Sequence, residues 1–358
     1  MVRRYFLLCL THCSNDHKLS CMKAQKTKII NLALQGGGSH GAFTWGVLDR
    51  LLQDERLEVE AITGASSGAI NAAVMVYGFA KGGREGARDA LRNFWNLLCG
   101  NYLIFPPSFA TFDESESHML ETYLALTRIF APGQLNPLNM NPLRELVMET
   151  IEFDYLRSNC PIRLFIATTQ VRTGKLKIFE NCDMSVDTLL ASACLPSIHH
   201  PVQIDGEIYW DGGLAANPPI FPLIFNCRNR DIIIVVINPL EITDLPTNIE
   251  EIRERLSDIG FNTAFLREMR AIAFCKNIIA GDWLASGKLH NKMKRSNIHL
   301  IRNHALATQF TARSRYNTLP SFINLLYNEG HSAADIWLEN NYETIGKQSS
   351  VDLAALFC

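Results

Sequence analysis

The sequence predicts an α/β fold with a mainly parallel central sheet and a helical C-terminal part, and three observations carry that prediction. From residue 29 to residue 77 the pattern alternates strand, helix, strand, helix. Strands joined by helical crossovers run parallel, so this is a βαβ unit. The run Ile232 to Ile237 is apolar without a break, as expected of a parallel strand covered on both faces. Beyond Pro239 the pattern turns helical, with Ile298 to Ile301 as the one further strand candidate.

Taken in order, Ile29 to Leu34 reads as a buried strand and Gly36 to Gly41 as a glycine-rich turn. Phe43, Val47, Leu48, Leu51 and Leu52 then recur at helical spacing. Val59 to Thr63 is the second strand and Gly68 to Tyr77 the second helix. Residues 84–98 form another amphipathic helix, and a further helix is predicted at 115–130. It lies in a 101–138 insertion rich in aromatics (Tyr102, Phe105, Phe109, Phe112, Phe130). Such a segment suits a lid or membrane-facing edge as well as a helical layer on the sheet. Asn141-Pro142 reads as a helix start, because proline is preorganised for the first helical position. Strands at Ile162 to Thr169 and Lys175 to Phe179 flank a hairpin-like turn at Arg172-Thr173-Gly174. A helix over Asp187 to Leu195 stops at Pro196, and Asp205-Gly206 joins strands at Val202 to Ile204 and Ile208 to Trp210.

With 34 basic against 36 acidic residues, no global field points to nucleic acid, and no nucleic-acid partner is expected. None of the ten cysteines forms C-x-x-C, which predicts free thiols and a cytoplasmic setting. The apolar run Tyr5 to Leu10 is shorter than the ~7–15 residues of a signal-peptide core and has no A-x-A site after it. No stretch approaches the ~20 apolar residues of a membrane span. The oligomeric state leaves no trace in the sequence.

Three glycine motifs carry the chemistry. Gly36 to Gly41 has the form G-x-G-x-x-G, but a dinucleotide site needs an acidic residue at the end of the next strand, where Thr63-Gly64 stands instead. Glycines after a strand and before a helix also let backbone N–H groups converge on an anion, so Gly36, Gly37 and Gly38 are candidate donors to an oxyanion. Gly64-Ala65-Ser66-Ser67-Gly68 fits a nucleophile elbow, whose strained serine tolerates only small neighbours. Parallel strands bring both motifs to one sheet edge. Asp211, in Asp211-Gly212-Gly213 after a short strand, is the candidate base, since a buried carboxyl with a raised pKa can take a proton unaided by histidine. His118, His199, His200, His290, His299, His304 and His331 remain as bases for a histidine-dependent reading. No H-E-x-x-H or clustered carboxylate pattern is present, so neither metal nor cofactor is expected.

These three motifs, in this order and spacing, resemble the signatures of the patatin-like phospholipase family over about residues 29–238. The resemblance implies a three-layer α/β/α architecture and a lipid acyl hydrolase with a Ser–Asp dyad. Ser66 would be the nucleophile, Asp211 the base and Gly36 to Gly38 the oxyanion hole, with Gly41, Gly64, Gly68, Gly212 and Gly213 supporting the motifs. It also implies a lipid ester substrate and peripheral membrane contact. Residues 1–28 then form an N-terminal extension expected to be disordered, 29–238 the catalytic domain, and 239–358 a mainly helical region packed on it. Many members carry Asp before the glycines and Arg or Lys at the fifth motif position; here these are Gln35 and His40. His40 would hold an anionic substrate only when protonated. Ala191 to Pro196 resembles a further stretch common in bacterial members. The alternatives are a non-hydrolytic lipid-binding or regulatory protein on the same fold, and an α/β-hydrolase esterase using histidine.

Overall fold

The structure, a computed structural model, describes residues 27–100, 122–242, 245–281, 287–307 and 313–358. The extension up to residue 26, His118, and the insertion's Tyr102, Phe105, Phe109 and Phe112 lie outside the described residues. The strands are β1 (Lys28–Leu34), β2 (Leu57–Gly64), β3 (Arg163–Gln170), β4 (Leu176–Glu180), β5 (Val202–Ile204), β6 (Glu207–Asp211), β7 (Asp231–Val235) and β8 (Asn297–Ile301). They form one sheet in the order β5-β6-β3-β2-β1-β7-β8, with β4 on β3. The run β3-β2-β1-β7-β8 is parallel throughout, and β4, β5 and β6 pair antiparallel. The C-terminal part is therefore not helical alone: it supplies β8, buried along its whole length.

Side-chain alternation divides the core into two layers. Ile30, Leu32, Leu34, Ile62, Leu164, Ile166, Ile233 and Val235 pack on one face of the sheet. Their strand neighbours Ala33, Ala61, Phe165, Ile232 and Ile234 pack on the other, as a period of two requires. The first face is covered by α1 (Gly41–Gln53), α2 (Ser67–Gly100), α3 (Pro142–Thr150) and α4 (Val186–Ser192), with α7 (Pro320–Asn341) lying along α1. The second is covered by α5 (Phe221–Asn226) and α6 (Ile249–Gly281), through Leu223, Phe265, Met269 and Ile272. The helices read separately at 68–77 and 84–98 are both present within α2, which breaks at the non-helical Gly82 and Gly83 so that Gly78 packs back against Gly86 and Ala90.

β3 decides where the ends of the other strands meet. Residues Arg163 to Ile166 pair with β2, Thr168 to Gln170 pair with β6, and β4 runs along Phe165 to Thr169. A strand has two edges, and β4 shares partners with both β2 and β6. It must therefore occupy the edge opposite both, leaving β2 and β6 on the same one. β6 takes over where β2 stops: Gly64 faces Ile166, and Asp211 faces Thr168 two residues, or about 7 Å, farther along.

Candidate active site

Only Ala65 and Ser66 separate the end of β2 from the start of α2. So tight a turn puts Ser66 at φ 53°, a left-handed conformation that costs a non-glycine residue roughly 1–3 kcal/mol. Its surroundings hold it there. The Ser66 N–H donates to Ser192 Oγ at 3.0 Å, and its carbonyl accepts the N–H groups of Ala69 and Ile70 at 3.0 and 3.2 Å. Gly36 packs so close that a Cβ there would stand 2.6 Å from Ser66 Cβ. The hydroxyl sits at the positive end of α2, where negative charge is favoured.

Leu34 pairs with Gly64 across β1 and β2, so the glycine loop leaves the sheet beside this turn. Its three N–H groups are not equivalent. The Gly36 N–H donates to Asn217 Oδ1 at 2.7 Å, and the Gly37 N–H to Ser67 Oγ at 3.1 Å. The Gly38 N–H makes no hydrogen bond among the described residues. Gly38 has φ 60°, and a Cβ there would meet the Arg315 carbonyl at 2.4 Å, so no other residue fits. Behind the loop, buried Gln35 accepts the N–H groups of Ile237 and Asn238 at 2.8 and 2.9 Å and donates to the Asn217 carbonyl and Asn262 Oδ1. Its uncharged amide both gives and receives hydrogen bonds here, which a carboxylate would not do.

Asp211 ends β6 and is fully buried. Its N–H donates to the Cys194 carbonyl at 2.8 Å, and its carbonyl accepts from Thr169 Oγ1 at 2.7 Å. Oδ1 accepts the Gly213 N–H at 2.7 Å, while Oδ2 has no hydrogen-bond partner among the described residues. Burial pushes the carboxyl pKa up to about 7, and the Gly213 N–H and the neighbouring Ser66 hydroxyl offset only part of that rise. The hydroxyl thus faces the carboxyl without closing a hydrogen bond of ordinary geometry on it.

A cavity of about 140 Å³ opens onto Ser66, Gly37 and Gly38, and its walls are largely apolar, from Ile70, Trp95, Leu98, Leu143 and Leu195. His40 does not line it. Burial and the nearby Arg315 push His40 down to about 3, and its Nε2 meets Ser314 Oγ at 2.8 Å. The condition attached to His40, that it hold an anion only when protonated, is not met near neutral pH, where the ring stays neutral and faces Ser314. Arg315 lines the cavity instead, held through Nη2 by Asn238 Oδ1 at 3.2 Å and by Asp258.

Of the histidines weighed as bases, His199 also lines the cavity. His200 meets the Asn136 carbonyl, His299 pairs with Asp231, and His331 lies beside Asp49 and Gln53. Asn217, Asn238, Arg315 and Ser192 belong to none of the three glycine motifs; only Ser192 stood in a stretch the sequence had marked, Ala191 to Pro196. Among the described residues no group of three or more His, Cys, Asp or Glu side chains gathers as metal ligands. No described helix is long and apolar enough to cross a membrane.

The family model for patatin-like phospholipase matches residues 32–224, more than half of the chain. No curated protein matches. Among solved structures, VipD from Legionella pneumophila is similar at 13% identity and a TM-score of 0.41, covering 88% of this chain and 67% of that one. The ExoU–SpcU complex from the type III secretion system of Pseudomonas aeruginosa is similar at 15% identity and a TM-score of 0.31, covering 93% and 75%.

Proposed function

The chain belongs to the patatin-like phospholipase family, and from that membership we propose that it is a serine lipid acyl hydrolase in which Ser66 attacks the ester and Asp211 is the general base. Lipid hydrolysis is the class of activity that the family supports, and a lipid ester the class of substrate. The finer reading rests on one observation: a buried carboxylate oxygen, Asp211 Oδ2, left without a partner beside the hydroxyl of a serine held in strained backbone.

In this mechanism Ser66 Oγ adds to the ester carbonyl while its proton passes to Asp211. The carbonyl oxygen, now negative, takes the free Gly38 N–H and then the Gly37 N–H, which turns from Ser67 Oγ. Gly36 stands behind them, its N–H already given to Asn217. Collapse of the adduct breaks the carbon–oxygen bond, and the departing alkoxide leaves with the proton from Asp211. Water then adds to the acyl-serine, loses its proton to Asp211, and frees the fatty acid as Ser66 recovers a proton.

Intact-mass analysis after fluorophosphonate treatment tests this reading. One adduct, located on Ser66, is expected, and Ser66→Ala is expected to lose both the adduct and roughly 10³-fold or more of ester turnover. An adduct on another residue, or turnover unchanged in Ser66→Ala, rejects it in favour of a different nucleophile. No adduct and no turnover in the wild type leaves lipid binding without hydrolysis.

A further inference from the structure

We propose that His199 donates a hydrogen bond from Nε2 to the leaving oxygen of the bound ester. The inference rests on the Ser66–Asp211 reading and adds a third polar group to it.

The segment from the end of α4 to β5 carries the Ala191 to Pro196 stretch, and it meets the site three times. Ser192 Oγ accepts the Ser66 N–H, the Cys194 carbonyl accepts the Asp211 N–H, and the His199 ring reaches the cavity. The loop that fixes both reacting residues therefore also fixes the imidazole relative to them.

The tautomer follows from local hydrogen bonding. The Leu195 N–H points at His199 Nδ1 at 3.3 Å, shared with the Ala193 carbonyl at 3.2 Å. Nδ1 is thus an acceptor, and in a neutral imidazole the proton then sits on Nε2. Nε2 makes no hydrogen bond among the described residues. Burial pushes the ring pKa down to about 4, so at neutral pH the ring presents an N–H. Its one lone pair is already engaged. Such a ring is a poor base for Ser66 and a good donor; neutral imidazole can polarise a substrate oxygen in this way.

The cavity gives the direction. Gly37, Gly38 and Ser66 line it together with His199. The glycine loop lies on the β1 side of Ser66, and the 192–199 segment is tied through Cys194 to the end of β6, which lies ahead of β2. In this proposal an ester whose carbonyl oxygen turns to Gly38 places its alkoxy oxygen toward the His199 ring in the same cavity. As that carbon–oxygen bond breaks, Asp211 supplies the proton and His199 keeps its own. The Nε2–H shares the charge growing on the departing oxygen and transfers nothing.

This makes His199 matter in proportion to how poor the leaving group is. The experiment compares kcat/KM for a glycerol ester and a nitrophenyl ester of the same acyl chain in wild type, His199→Phe and His199→Gln. Phenylalanine keeps a ring without a donor; glutamine restores an N–H. The expected loss in His199→Phe is roughly 10- to 100-fold on the glycerol ester and under about threefold on the nitrophenyl ester. The acid limb of the pH profile stays in place, and His199→Gln recovers part of the loss. Equal losses on both esters, no loss on either, or disappearance of the acid limb would each overturn the proposal. Fluorophosphonate labelling of Ser66 in both variants separates this failure from failure of the Ser66 reading, and it also reports that the variants are folded.

Discussion

Asp211 ends one strand of the sheet and Asp231 begins the next; both are almost wholly buried, at 0% and 1% exposure, and they are held in opposite ways. Asp231 Oδ1 gathers Asn297 Nδ2 at 2.9 Å, His299 Nε2 at 3.2 Å and the Gly346 N–H at 2.8 Å. Burial alone raises its pKa, but the bonds from His299, Gly346 and Asn297 together outweigh that and bring the net shift below the usual carboxylate value. Asp211 receives a single N–H on one oxygen and none on the other, and burial prevails. Two carboxyls alike in lacking solvent contact are thus a settled anion in one place and balanced near neutrality in the other. The difference lies in Asp211's deeper enclosure and in how many donors reach each carboxyl.

The largest effect that probes this contrast is Asp211→Asn. If Asp211 is the base, turnover falls by roughly 10²–10⁴-fold, because an amide takes no proton. The melting temperature at about pH 8 is expected at or above wild type, since the change removes a buried, poorly paired charge. A loss of less than about tenfold with the fold intact would end the proposed role. Asp231→Asn is the mirror experiment. It removes the charge that pairs with His299 and puts amide hydrogens where donors converge. Thermal or urea unfolding is expected to show a loss of roughly 2–4 kcal/mol, with kcat of the folded protein within about twofold of wild type. Loss of activity without loss of stability would erase the distinction.

The smallest and finest test is pH. The base must be ionised, so kcat/KM is expected to rise as pH increases through about 7. Stability from the same group runs the other way. Its raised pKa means the folded protein keeps a proton that the unfolded chain releases above about 4. Its contribution is complete below about 4 and is lost as pH climbs through about 7. Asp231, with a lowered pKa, contributes above about 4 and loses that contribution in acid. Melting temperatures and kcat/KM measured in parallel for wild type and Asp211→Asn check this: the acid limb and the stability drift toward neutral pH disappear together in the variant.

What the sequence makes legible is whatever sits in one short stretch. The glycine loop, the serine turn and the Asp-Gly-Gly reversal are local, and strand periodicity together with the βαβ rule was enough to bring the first two to one edge. The individual N–H groups of Gly36, Gly37 and Gly38 could not be told apart, because Gly36 is engaged by Asn217, 181 residues away. His40 reads as a basic residue until burial and Arg315 are seen to hold it neutral. Arg315 and Asn238 reach the site through the C-terminal turn and the end of β7, and neither carries a spacing that marks it. β8 was only a candidate because five residues of strand among helices give little periodicity; its pairing with β7 is what defines it.

The meeting of β2 and β6 along β3 also sets an order of assembly. Gly36 to Gly38 and Ser66 leave the ribosome close together, whereas Asp211 follows 145 residues after the serine. Until β6 has docked against Thr168, the chain holds a serine turn and a glycine loop with no carboxyl opposite them. A contact of such long range forms late and only on a sheet that has largely closed. If the proposed dyad operates, a partly made chain exposed to lipid during synthesis is harmless to it, and activity begins no earlier than the docking of β6 on β3.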